Sequence, residues 1–473
     1  MAELKTRKET VMNISRSLAE FVEKTTYRDI PKEVLQVEKN SILDNIGIIS
    51  GGCGGDGCKE FHEYAVEAAA GGKGEATVLG FDEKLPAIWA AFVNASMTMA
   101  LDFSDTSATA TIHPNTSTFA VSLALSEKIG DISGMQFLTA MVVGSEVACR
   151  LARAAVSSRF VPYGFYMPPV FTAFGATAAA CKLLDLNADQ IIDAWSLTLS
   201  QYTCSSELTQ NKETPIRSIR EAFGAKAAMS SAILAAKGIK GYKDPFEGKL
   251  GFYHMYFDDE YDADAVLKDL GKDFEAAKLI FKPWPCCMGN HGPVNAALNI
   301  MKENKINVSD IESIHAEVPT VAKAVCEPLE DKRHPKNAIN AKYSIPFTVG
   351  TVLVDGNITL DSFDDDKLVR KEVLDLAAKT DYELNGDWDK DLELKTGGKL
   401  TIKTKDGKTY ESWVKKTLGN PENPMTPEQF KAKFVSCMNK AHNPRSAAQC
   451  EDIYNHVMDL EMVVDMNDLV KML

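Results

Sequence analysis

The chain has 473 residues, 45% of them hydrophobic and 25% charged, with a formal net charge of -14. Such a length exceeds the size at which a single core usually stops growing, so two domains are expected of a globular protein rather than a disordered one. The acidic balance, with no Lys/Arg-rich run, argues against nucleic acid and against a polybasic membrane anchor.

The N-terminal stretch MAELKTRKETVMNISRSLAEF lacks the continuous apolar core of a signal peptide. Val11, Ile14, Leu18 and Phe21 instead recur at helical spacing, so this segment is expected to be part of the fold. No run reaches the roughly 18 apolar residues of a membrane span, and a soluble cytoplasmic protein is expected. Ten cysteines scattered through the chain read as reduced thiols of a cytosolic compartment. Cys53 and Cys58, in GGCGGDGC, invite a metal reading, but no paired Cys/His set follows at zinc-finger spacing.

From Met1 to about Tyr261 the pattern is almost wholly helical. Segments such as AVSLALSEKIG, FLTAMVVGSEVACRLARAAV and FTAFGATAAACKLLDL are rich in Ala and Gly and apolar around most of their circumference, as in helices buried within a large bundle. Within this region LDFSDTSATATIHPNTSTFAVSLAL stands out. Asp102 and Asp105 leave a helical stretch, a loop of small residues follows, and His113-Pro114 opens the next helix. A histidine at a helix N-terminus tends to stay neutral, as a general base requires. The plain alternative is two capping aspartates and an exposed loop histidine.

Further along, ETPIRSIREAFGAKAAMSSAILAAKGIKG places Arg217 and Arg220 one helical turn apart, before an Ala-rich buried run. Two guanidiniums there suit bidentate binding of a carboxylate, and a solvated salt-bridged face would look the same.

After about residue 275 the signals change. KLIFKPWP and ESIHAEVPT read as short strands, and KLTIKTKDGKTYESWV as a hairpin about Asp406-Gly407. Helical patterns fall between them, at NHGPVNAALNIMKEN, NAKYSIPFTVGTVLVDG and DDKLVRKEVLDLAAKT, which predicts an α+β unit over about 275–418. In IFKPWPCCMGNHGPVNAALNI, Lys282 could meet an anionic substrate, while Cys287 could be a thiol, a thiolate or simply wall. From PMTPEQFKAKF to the end, helical spacing returns, with Thr426, Glu428 and Gln429 as a cap region, and these helices could pack back on the first unit.

In this order, LDFSDT followed by HP, GSEVACRLARA, FGATAAACKLL, AFGAKAAMSSAILAAKGIKGYKDPFEGKLGF, FKPWPCC with HGPVNAAL, and AKYSIPF resemble the MmgE/PrpD family over nearly the whole chain. That family includes 2-methylcitrate dehydratase, cis-aconitate decarboxylase and iminodisuccinate epimerase. The resemblance implies a mostly α protein: a large helical domain from residues 1–274 and the C-terminal helices 419–473, with an α+β lid domain, 275–418, inserted between. It also implies a homodimer, an active site between the domains, a small carboxylate substrate, and no metal, cluster or other cofactor.

Carried over by position, Asp102, His113, Lys282 and His291 match family residues. Tyr166 stands where the decarboxylase has a histidine, Arg220 where it has a lysine, Cys287 at a histidine position, and Phe347 in place of a tyrosine. The expected chemistry is proton abstraction next to a carboxylate or carbonyl. His113 or Asp102 would be the base, Arg220 and Lys282 would stabilise the enediolate, Tyr166 or Cys287 would be the acid, and Arg217, His291 and Phe347 would contact substrate. Dehydratase, epimerase or double-bond isomerase, and decarboxylase outcomes all stay open, as does a non-catalytic binding role.

Overall fold

The computed structural model describes residues 13–110, 112–155, 164–209, 214–390, 394 and 396–473. Val11, the first apolar position of the expected N-terminal helix, lies outside them. The helix itself runs Ile14–Lys24, capped by the Asn13 side chain, and buries Ile14, Leu18, Phe21 and Val22 as the spacing predicts.

The chain is mostly helical. One apolar core gathers buried residues from Ile14 to Ala276 and again from Phe434 to Leu473. Helix Lys32–Gly51 packs against Pro427–Met438, whose N-terminus is closed by the Thr426 side chain accepting from the Gln429 backbone. At the centre, helices Gly134–Ala154 and Pro168–Leu183 cross backbone to backbone. A Cβ added to Gly175 would stand only 2.5 Å from the Gly144 carbonyl, which shows why the small-residue runs are needed there.

A second apolar core gathers buried residues from Trp284 to Val414. Its four-stranded sheet runs Thr380–Asn385, Ile311–Pro319, Gly398–Thr404, Thr409–Val414 from edge to edge. The first pair is parallel and the other two antiparallel. The predicted hairpin turns at Asp406-Gly407, where Gly407 takes φ +82 and the Thr404 hydroxyl donates to Asp406.

Two expected elements differ. KLIFKPWP forms a strand only at Leu279–Ile280, paired with Thr106–Ser107, because Pro283 and Pro285 remove ladder donors. NAKYSIPFTVGTVLVDG is two helices, Ala338–Lys342 and Ile345–Asp355. The Ser344 side chain caps the second, accepting from the Phe347 N–H, and Pro346 fits its first turn, where no N–H is needed. Among the described residues no helix is long and apolar enough to cross a membrane.

Gly419, at φ +90, accepts a hydrogen bond from the Phe281 N–H at 3.0 Å, and a Cβ there would overlap the Phe281 carbonyl. It therefore clamps the backbone just before Lys282. Gly419→Ala is expected to lower stability by about 1–3 kcal/mol through backbone strain alone. Urea unfolding checks this, and an unchanged midpoint would show that the clamp has slack.

Candidate active site

Helix Ala87–Met97 ends in a loop in which the four consecutive carbonyls of residues 100–103 are claimed by lysines from far along the chain. Lys342 Nζ donates to Ala100 O and Leu101 O at 3.4 and 3.2 Å, Lys282 Nζ to Asp102 O at 3.0 Å, and Lys433 Nζ to Phe103 O at 2.8 Å. All three lysines are buried, and they come from three different parts of the sequence. Asp102 adopts the left-handed φ of +52. Its Oδ1 lies 2.6 Å from Lys282 Nζ, and its Oδ2, also buried, has no hydrogen-bond partner.

Burial alone would raise the Asp102 carboxyl. The charge and hydrogen bond of Lys282, then the charges of Arg217 and Lys342, outweigh it and hold the group below the ordinary carboxylate range. Asp102 is thus an ionised carboxylate with one oxygen uncommitted.

His113 Nδ1 stands 2.7 Å from the Asp105 carbonyl and 3.1 Å from Ser104 Oγ. A carbonyl only accepts, so Nδ1 carries the hydrogen and Nε2 the lone pair. Burial, then the charges of Lys282 and Arg220, depress the imidazole to about 3, against the opposing pull of the Asp105 carbonyl and Asp102. The ring is neutral, as expected, but desolvation and two cations do most of the work assigned above to a helix terminus. A neutral, oriented imidazole with a free Nε2 has the form of a general base.

Asp105 does more than offer its carbonyl. Its buried carboxylate accepts from Ser41 at 2.6 Å and Asn115 at 3.1 Å, yet burial, helped by the Asp44 charge, raises it to about 6. Glu38, fully buried nearby, is likewise pushed well up by burial and by Asp105. A folded value above the unfolded one, about 3.9, means that stability from this group is full below pH ~4 and is lost as pH rises through 6. Asp105→Asn is therefore expected to stabilise by about 1–3 kcal/mol at pH 7.5 and hardly at all at pH 4. Denaturant melts at the two pH values read this, and a pH-independent change would contradict it.

Arg217, on the short helix Ile216–Ile219, donates from Nη2 to the Tyr343 hydroxyl, and its guanidinium carbon lies 4.1 Å from the centre of that ring. Arg220 caps the next helix, Glu221–Ala236. It donates to the Arg217 carbonyl, stands 5.4 Å from the centre of the Tyr166 ring, and is paired at 3.4 Å with Glu221. Glu221 is itself held by the Thr172, Ser117 and Thr116 hydroxyls. The buried Arg220 Nε lacks a hydrogen-bond partner. Arg217 and Tyr343 line a cleft of about 730 Å³ that also meets Phe61, Pro215, Lys332 and Asn337. Asp102, His113 and Lys282 are not among its lining residues; the Asp102 charge acts on two that are, Arg217 and Tyr343.

The remaining sequence candidates divide. Cys287 is half-buried, with its N–H on the Lys342 carbonyl at 3.0 Å. Burial and Asp102 push its thiol up despite Lys282, so the thiolate weighed from the sequence does not form. His291 is fully buried, its Nε2 3.2 Å from the Cys286 carbonyl and its ring against Trp284. Phe347 is also fully buried, in the second core, 6.3 Å from Phe363. Neither touches the cleft. The sequence reading passed over Lys342, Tyr343 and Lys433. For the first two a signal was present: a Lys-Tyr pair directly before a Pro-led apolar helix.

Two family models cover most of the chain, the MmgE/PrpD N-terminal domain over residues 16–264 and the MmgE/PrpD C-terminal domain over 284–460. The chain is 27% identical over 465 residues to cis-aconitate decarboxylase of Aspergillus terreus, covering 94% of this chain and 92% of that protein. It is 27% identical over 433 residues to that of Mus musculus, covering 89% and 86%, and 26% identical over 469 residues to that of Homo sapiens, covering 97% and 95%.

Proposed function

As this chain belongs to the MmgE/PrpD family and is an enzyme of that type, we propose that it is a lyase or isomerase acting on a small di- or tricarboxylic acid by making or breaking a bond next to a carboxylate. The observation that carries this is the neutral His113, its Nδ1 hydrogen committed to the Asp105 carbonyl, under the charges of the ionised Asp102–Lys282 pair.

His113 is the base, taking the proton α to a carboxylate. Asp102 is ionised but held by Lys282, which makes it a steadying charge rather than the first acceptor of a proton. Arg220 and Lys282 face the developing enediolate, since preformed cations in a water-poor site stabilise charge that appears only in the transition state. Arg217 receives a second carboxylate at the inner wall of the cleft. His291 and Phe347 act as packing around the site rather than as contacts to substrate. Tyr166 and Cys287 remain candidates for the acid.

The printed names of the relatives favour decarboxylation among the three outcomes, with an unsaturated tricarboxylate such as cis-aconitate as the first substrate to try. A 2-methylcitrate-dehydratase-like elimination and an epimerase or double-bond isomerase use the same proton abstraction. The chemistry proposed runs on side chains without a metal or other cofactor, in the cytoplasm. The chain divides into a helical body, 1–274 with 419–473, and a lid, 275–418, whose Lys282, Lys342 and Tyr343 close on the body. A homodimer is supported by the exposed aromatics Tyr64 and Phe223, which with Phe61, Trp89 and Phe92 form one cluster on the body.

The test is turnover of a panel of di- and tricarboxylates in chelator-treated buffer, with products followed by NMR. Turnover of at least one acid is expected. Tight binding throughout with no product would mean a retired family member, and activity only with added metal would refute side-chain chemistry.

A further inference from the structure

The mechanism above needs an acid as well as a base, and three half-buried groups stand near the cations of the site: Cys287, Tyr166 and Tyr343. They are not equivalent. An acid is effective when the conjugate base it leaves behind is stabilised where it forms. Among the described residues, Tyr343 is the one of the three whose acidic atom is hydrogen-bonded to a cation, Arg217. That same guanidinium lies over its ring at 4.1 Å. Tyr166 has Arg220 only above its ring, at 5.4 Å. Cys287 has its backbone N–H on the Lys342 carbonyl and, among the described residues, no side-chain hydrogen bond to a cation.

Placement favours Tyr343 as well. It follows the short helix Ala338–Lys342, and the preceding residue reaches the Ala100 and Leu101 carbonyls, so the phenol is tied to the Asp102 loop through its neighbour. It also lines the cleft, which supplies a route for a solvent proton. Its oxygen accepts from Arg217, which leaves the phenolic hydrogen free of that bond. Burial raises the phenol well above its ordinary value against the charge of Arg217, so the group is protonated at neutral pH, and its donation depends on Arg217 stabilising the phenolate.

We propose that the Tyr343 hydroxyl is the acid of this enzyme, with Arg217 holding the phenolate it becomes; this rests on the lyase or isomerase reading above. In decarboxylation His113 first takes the α proton and returns it to a neighbouring carbon, shifting the double bond; the C–CO2 bond then breaks and its electron pair stays on the substrate carbon, delocalised into the neighbouring carboxylate. A C–H bond then forms as the Tyr343 O–H breaks, and the O–H pair remains on the phenolate oxygen. In elimination the same proton goes to the departing hydroxyl, which leaves as water with the C–O pair. In either case a solvent water entering through the cleft reprotonates the phenolate.

Two measurements with cis-aconitate as first probe and the other acids as further probes test this. Tyr343→Phe keeps the ring beneath Arg217 and removes the proton: kcat is expected to fall about 10²–10⁴-fold, with KM within about threefold. Tyr166→Phe and Cys287→Ser, at the two other candidates, are expected to lower kcat less than Tyr343→Phe does. Because Tyr343→Phe could also disturb Arg217, fluorinated tyrosines at 343 retain ring and hydroxyl while acidifying the phenol. The alkaline limb of the kcat profile should then move to lower pH as fluorines are added, and fluorination at 166 should leave it in place. An active wild type with normal kcat in Tyr343→Phe, or a limb that ignores fluorination at 343, overturns the assignment while leaving the lyase or isomerase reading standing. A wild type inert toward every acid overturns both.

Discussion

His113→Gln is expected to lower kcat by about 10²–10⁴-fold, the usual contribution of a positioned base, without unfolding the protein. The glutamine amide can still donate to the Asp105 carbonyl now served by Nδ1–H, so the loop keeps its hydrogen bond. What it cannot do is accept a proton from carbon. The accompanying pH behaviour distinguishes this base from an ordinary histidine. A base must be unprotonated to work, so activity is present above its pKa and lost as pH falls through it. With the imidazole depressed to about 3 by burial, Lys282 and Arg220, the wild-type kcat should show no acid limb near 6.5 arising from this residue. A limb near 6.5 that disappears in His113→Gln would mean that the ring is solvated and far from those cations.

Lys282→Met is expected to be the most damaging single change in the site. It strips the partner from a buried carboxylate, and breaking a buried pair typically costs about 3–5 kcal/mol because an uncompensated charge remains. The sign of the pH dependence follows from the same pair. In the wild type Asp102 sits below its unfolded value of about 3.9, so its stabilisation is present at neutral pH and lost only as pH falls through the depressed folded value. Without Lys282, desolvation loses its main opponent, and the variant should be weakest at neutral pH and gain relative to wild type near pH 4. Adding Asp102→Leu should restore much of the stability and none of the activity. Unfolding midpoints at pH 7 and pH 4, alongside turnover of the double variant, check each part. If Lys282→Met and wild type had equal midpoints at pH 7, Asp102 would have to be solvated.

Much of this site could be read from short stretches of sequence, because local rules act there. Pro114 after His113 marks a helix start, Pro283 and Pro285 mark a broken strand after Lys282, and Asp406-Gly407 marks a hairpin. The helix over residues 427–438 was legible in its helical spacing and its Thr426 cap. What stayed hidden depends on contacts across great sequence separations. Lys282 meets Asp102 over 180 residues and Lys342 meets Leu101 over 241, and no periodicity records such pairings. Tyr343 was passed over because NAKYSIPFTVGTVLVDG reads as one helix, and only the break at Tyr343-Ser344 frees the phenol to reach Arg217. Conversely, His291 and Phe347 occupy recognisable motif positions, yet both are fully buried, His291 against the Cys286 carbonyl and Trp284 and Phe347 in the second core. Position in a motif says nothing of which way a side chain turns.

The central claim is that the buried cluster around His113 moves a proton at carbon. Incubation with the acid that turns over, in deuterated water, followed by proton and carbon NMR, tests this most directly. The account predicts deuterium at one carbon adjacent to a carboxylate in wild type, and no incorporation with His113→Gln. Product formed with no deuterium at any carbon, or incorporation that persists unchanged without His113, would contradict it.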